Sequence, residues 1–213
     1  MFNSPIESYH SHYGIKIDLD FLFIAARNTY EAIVALESGN ESVARQKWES
    51  VDGDALLKLW NPEDAKSERE VPAWPEVKKP VLTSPLAKQP SDALKRKLYE
   101  RDGYRCRYCT MHVFTRNKGS SIHKLIKAFP ELTPGLRLVN GSLKGSGKNG
   151  AIKNVDYAKF LWSMAAPDHV VPRSHGGLTD MENLVTSCSG CNYYSKGDLT
   201  LEQMAVRPPK PLL

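Results

Sequence analysis

Apolar positions fall into helical spacing over the first half of the chain and into strand-like spacing near its end. From Asp18 to Leu36, Phe21, Ile24, Ala25, Ala32, Ile33 and Leu36 recur at intervals that predict an amphipathic helix. A second helix is expected through Val43 to Trp48, behind Gly39-Asn40, and a third over Ala55–Trp60, ending before Asn61-Pro62. Ser91-Asp92 can cap a helix running through Leu94, Leu98 and Tyr99 to Arg101, with Asp102-Gly103 as its stop. Helices are also expected at about Ser121–Ala128 and Val155–Met164. The period then changes. Asp168 and His169 open a short β-branched run that Pro172 and Gly176-Gly177 terminate, Asn183–Thr186 can return as a second strand, and a helix begins near Ser189.

Pro72, Pro75, Pro80, Pro85 and Pro90 separate the two halves, a scatter that favours an extended connector over a packed element. The expected organisation is a small helical module over 1–70, a linker over 71–90, and a second domain over 91–213 with a basic insertion at 115–165. Residues 1–14 lack clear periodicity and fit an arm or a short strand. A helical module of about 60 residues is marginal for folding alone, so it is expected to pack on the second domain or on a partner. The apolar fraction is 41%, and no run of about 18 apolar residues could cross a bilayer. With no secretory signal at the start, a cytoplasmic protein is expected.

The net charge of +5 is unevenly spread. Residues 1–90 hold 10 Lys/Arg against 14 Asp/Glu, a net of −4, and the remainder holds 19 against 10, a net of +9. A positive surface suits a polyanion such as nucleic acid, although an ordinary solvated basic face has the same composition. Within 116–159 there are 9 Lys/Arg and 2 acids, including the glycine-rich stretch 140–150 with Lys144 and Lys148. This stretch is either a phosphate-gripping loop or a solvated surface insertion. It is not a Walker loop, because Gly145-Ser-Gly-Lys148 lacks the upstream glycine at the right spacing and a following Ser/Thr.

The cysteines change the picture most. Cys106-Arg-Tyr-Cys109 and Cys188-Ser-Gly-Cys191 are two turns of metal-ligand spacing, and together they supply the four thiolates of a tetrahedral zinc site. A disulfide pair or a redox motif would use fewer matched turns. The 78 residues between the two turns exceed a compact zinc ribbon, so functional residues are expected inside the clamp. His112 and His123 are then surface or packing residues, and Trp60, Trp74 and Trp162 are core or interface anchors.

Inside the clamp lies Asp168-His169. Hydrolysis of a phosphodiester needs a base to activate water and a hard cation to neutralise the phosphate; an imidazole and an oxygen ligand meet those needs. The two side chains would leave a flat strand on opposite faces, and a bend at the strand end would bring them to one site. Asn192, just after the last cysteine, can supply a second oxygen ligand from the start of the helix. Arg173 can grip a phosphate, and His175 is either a phosphate contact or an exposed loop histidine.

The order Cys-x-x-Cys, Asp-His-x-x-Pro-x-Ser-x-Gly-Gly, Asn-Leu-Val, Cys-x-x-Cys-Asn resembles the HNH endonuclease family, or ββα-metal fold, over about residues 95–198. The resemblance implies that His169 is the general base, that Asp168 and Asn192 hold the catalytic Mg²⁺ or Mn²⁺, and that Asn183 braces the loop carrying the histidine. It implies that Cys106, Cys109, Cys188 and Cys191 hold structural Zn²⁺. Two features depart from the family. Asn192 stands where a histidine gives the family its third letter, and Asn192-Tyr-Tyr-Ser-Lys196 carries one residue more than the usual Cys-Asn-x-x-Lys, which puts a phosphate contact by Lys196 in doubt. The expectation is thus an α+β protein, a helical N-terminal module joined to a zinc-stapled HNH domain with a helical and loop insertion. It would cut DNA in a restriction or phage-defence setting, as a homodimer or with a protein partner. The alternatives are a zinc-stabilised DNA-binding module without catalysis, or the nuclease subunit of a larger complex whose partner selects the target.

Overall fold

A computed structural model describes residues 9–10, 16–17, 19–60, 87–115, 119–139, 142–144 and 154–196. The elements mix helices with short antiparallel strand pairs, an α+β composition. Among the described residues, no helix is long and apolar enough to cross a membrane.

The chain divides into two compact units that do not follow the expected contiguous order. One is Met1–Ile17, Arg69–Val113 and Ala165–Leu213; the other is Asp18–Glu68 and Phe114–Met164. The helices expected as an N-terminal module and the stretch expected as an insertion therefore share one unit. Most of the connector expected over 71–90 lies outside the described residues.

The helical unit contains α1 (Leu19–Glu37), α2 (Glu41–Glu49), α3 (Gly53–Trp60), α5 (Ser121–Ala128) and α6 (Val155–Leu161). Side chains cap four of these helices at the N-terminus: Asn40 accepts from the Val43 amide, Asp52 from that of Ala55, Ser120 from that of His123, and Asn154 from that of Tyr157. The apolar stripes close over Leu22, Trp48, Leu56, Ile122, Leu125 and Phe160, all fully buried. Trp162 donates to the Leu56 carbonyl at 3.0 Å and meets Trp60 edge-on, with ring centroids 4.8 Å apart, so both tryptophans anchor this core. Gly53 is required because a side chain there would collide with Val155. Strands β3 (Arg137–Val139) and β4 (Ser142–Lys144) pair where a loop was expected. They flank Asn140-Gly141, a strong two-residue hairpin signal that the glycine-rich composition obscured.

The other unit holds the cysteines. Its β1 (Tyr9–His10) and β2 (Lys16–Ile17) are a short antiparallel pair. Helix α4 (Asp92–Arg101), capped by Ser91, buries Leu98 and Tyr99 against Leu184. Strand β5 (Ala165–His169) pairs antiparallel with β6 (Leu184–Cys188), with Ala165 opposite Cys188 and His169 opposite Leu184. The other edge of β6 is covered. The buried Asp102 carboxylate accepts the Thr186 amide at 2.7 Å, and the Thr186 carbonyl accepts the Arg107 amide at 2.8 Å. Arg101 neutralises Asp102 through its guanidinium and also donates to the carbonyls of Met181 and Leu184. The end of α4 and the first cysteine turn are thereby fastened to the strand that ends in Cys188.

Candidate functional site

Two tight turns bring the thiols together. Tyr104 and Thr110 both adopt positive φ, +52° and +66°, on either side of Cys106–Cys109. The Cys106 amide donates to the Met111 carbonyl and the Thr110 amide to that of Cys106, closing the turn. Cys188 ends β6, and the following π-turn, Gly190–Lys196, carries Cys191. All four cysteines are buried and unbridged, with sulfurs within 4.8 Å of one another. Tetrahedral zinc with bonds of roughly 2.3 Å places its sulfurs about 3.8 Å apart. The Sγ atoms of Cys109 and Cys188 are 3.7 Å apart, and the Cys191 amide donates to the Cys188 sulfur at 3.3 Å. Burial pushes the thiols of Cys109 and Cys191 up, an environment in which a bound dication keeps them as thiolates. The cluster fits structural zinc in donor type, number, spacing and burial.

Asp168 and His169 sit at the end of β5, not at the start of a strand. The β-branched Val170-Val171 pair lies past the strand, where the chain is held by Asn183 instead of by a regular ladder. The Asn183 side-chain oxygen accepts the Val171 amide at 2.8 Å, and its amide donates to the carbonyls of Val171 and Leu178. This one carboxamide closes the loop from the end of β5 to the start of β6. Gly177 permits the closure, since a Cβ there would collide with the Val171 carbonyl and the Asn183 carboxamide, and Gly176 takes φ +86°.

Asp168 and His169 reach different neighbours, as adjacent strand residues do. Asp168, 5% exposed, accepts a hydrogen bond from the Tyr108 hydroxyl, and Tyr108 is fully buried between Cys106 and Cys109. Burial, then the Asp168 charge, pushes the Tyr108 phenol well up, so it remains a neutral donor. His169, 8% exposed, has Nε2 at 2.8 Å from the Thr179 hydroxyl. Asn192, 9% exposed, lies one residue past Cys191 in the π-turn. A turn closed by i to i+5 hydrogen bonds holds one residue more than an α-turn, which is the length by which Asn192–Lys196 departs from the family spacing.

The expected phosphate contacts are scattered. Arg173 and His175 belong to a short 3-10 turn, with His175 Nδ1 at 3.2 Å from the Ser174 hydroxyl and the buried Arg173 Nε without a hydrogen-bond partner among the described residues. Lys144 is in β4 of the helical unit, Lys196 ends the π-turn, and Lys148 and Trp74 lie outside the described residues. His123 is buried on α5. Arg105 donates to His112 Nε2 at 2.8 Å, and partial burial, then the Arg105 charge, lowers the His112 pKa.

Sequence reasoning missed Tyr108, Arg101, Asp102 and Thr179. The aromatic residue inside the first Cys-x-x-Cys was the one local signal. No curated relative and no solved structure matches the chain significantly. The HNH endonuclease family model matches residues 157–194, which include Asp168, His169, Asn183, the second cysteine pair and Asn192. The chain carries an HNH endonuclease domain.

Proposed function

We propose that this protein is a metal-dependent endonuclease that hydrolyses DNA phosphodiesters, with His169 as general base. The carrying observation is the Asp168-His169 pair at the end of β5, beside a loop locked by Asn183 and inside the stretch that matches the HNH endonuclease model. Asp168 and Asn192 offer hard oxygen donors of the kind Mg²⁺ or Mn²⁺ takes, and a few protein ligands suffice because such ions keep waters and substrate phosphates. Tyr108 takes up Asp168 Oδ2 and so orients the carboxylate. When bound, the divalent ion supplies charge neutralisation at the phosphate and at the leaving 3′ oxygen. His169 takes the proton of the attacking water, Asn183 fixes the loop behind it, and Arg173, His175 and Lys196 supply phosphate contacts. The zinc cysteines serve as scaffold.

Replacing His169 tests the assignment: His169→Ala abolishes Mg²⁺- or Mn²⁺-dependent nicking of plasmid DNA while zinc content and circular dichroism stay as in the wild type. Cleavage retained by that variant removes the base assignment, and DNA bound but never cut by the wild type leaves the chain a binding module. Target choice through a partner or a second copy, in a restriction or phage-defence role, completes the proposal. Cleavage of modified against unmodified phage DNA, with the ends sequenced, tests that role.

A further inference from the structure

We infer that Thr179 is a positioning residue that fixes the tautomer of His169 by relaying its ring N–H to the main-chain carbonyl of Lys88. The inference rests on the reading of His169 as the base. Thr179 Oγ1 lies 2.6 Å from the Lys88 carbonyl oxygen and 2.8 Å from His169 Nε2. A hydroxyl has one proton, and a carbonyl oxygen can only accept. The Thr179 proton therefore goes to Lys88, and the remaining contact requires that Thr179 Oγ1 accept a proton donated by His169 Nε2. In the neutral ring this puts the hydrogen on Nε2 and the basic lone pair on Nδ1.

The relay also acts during proton transfer. As His169 gains its proton, the N–H to Thr179 becomes a charge-assisted bond, and the Lys88 carbonyl dipole backs it through the hydroxyl. Thr179 thus aims the ring. Lys88 precedes α4 and lies outside the matched residues 157–194, so a segment upstream of the HNH stretch takes part in setting the base.

Thr179→Val keeps the shape and removes the hydroxyl, whereas Thr179→Ser keeps it. The expected result for the valine variant is a fall in kcat of about tenfold to a hundredfold. KM for plasmid DNA changes little, and the serine variant restores the rate. A wild-type rate in the valine variant, or a serine variant as slow as valine, overturns the inference. In the full-length protein, ring ¹⁵N shifts of His169 should report the Nε2–H tautomer, and an Nδ1–H tautomer overturns it even if the variants fail to fold. An inactive His169→Ala alongside a wild-type-like Thr179→Val rejects the relay alone; an active His169→Ala rejects the base assignment beneath it.

Discussion

The two units are held together by different chemistry. In the helical unit, Leu22, Trp48, Leu56, Ile122, Leu125 and Phe160 form a fully buried apolar core from helices far apart in sequence. Among the described residues of the cysteine unit, buried apolar side chains such as Leu98, Tyr99, Met111, Val113, Leu184 and Val185 share the interior with four thiols, the carboxylates of Asp102 and Asp168, and Thr186. Burying each large aliphatic side chain contributes roughly 1.5–3 kcal/mol. Buried thiols and carboxylates contribute only when a partner satisfies them. The first unit can therefore depend on water leaving its apolar surface, whereas the second also relies on polar clamps and on whatever satisfies its four buried thiols. Among the described residues, the unit that carries the candidate chemistry is the one that buries thiols and carboxylates.

Chelation should break the comparison most sharply. Apparent zinc-binding free energies in small metal-dependent folds are on the order of 10 kcal/mol. Stripping zinc should abolish hydrogen-exchange protection across 98–113 and 165–192 while α1, α5 and α6 keep theirs. Equal protection with and without zinc would sink the contrast. Trp48→Ala is the mirror experiment, expected to cost about 3–5 kcal/mol of stability by leaving a cavity. Trp48 Nε1 has no hydrogen-bond partner among the described residues, so packing accounts for the loss. Zinc stoichiometry should be unchanged, and a denaturation midpoint equal to wild type would contradict the assigned core. The smallest change, Tyr108→Phe, removes one hydroxyl from Asp168. It should weaken Mn²⁺ binding about tenfold with zinc retained. An unaltered Mn²⁺ titration would show that Tyr108 only fills space.

Local signals carried much of the fold. Ser91 and the Asp102-Gly103 stop bounded α4, and the amphipathic run Ser121–Ala128 became α5, because caps and short-range periodicity act within one or two turns. The first strand of the HNH stretch was misplaced for a tertiary reason. Ala165-Ala166-Pro167 has weak strand propensity, yet Ala165 pairs with Cys188 while the more strand-like Val170-Val171 falls in the loop. Proline is tolerated at Pro167 because, among the described residues, β5 pairs with β6 along one edge alone. The pairing of 19–60 with 114–164 was not legible either, since an apolar stripe reveals that a face is buried but not against what. Within the site, the cysteines and the residues of the motif stood out by spacing. Tyr108 and Thr179 did not, because their partners Asp168 and Lys88 lie 60 and 91 positions away in the chain.

The π-turn after Cys191 bears on how this chain tolerates changes in length. An α-turn that gains one residue can absorb it as a wider loop of backbone without rotating what precedes or follows. Motif comparison by fixed spacing treats Asn192-Tyr-Tyr-Ser-Lys196 as a broken pattern, whereas the backbone treats it as the same turn with a blister. The turn can then take a one-residue change in length beyond Cys191 while the thiol cluster holds Cys191 in place.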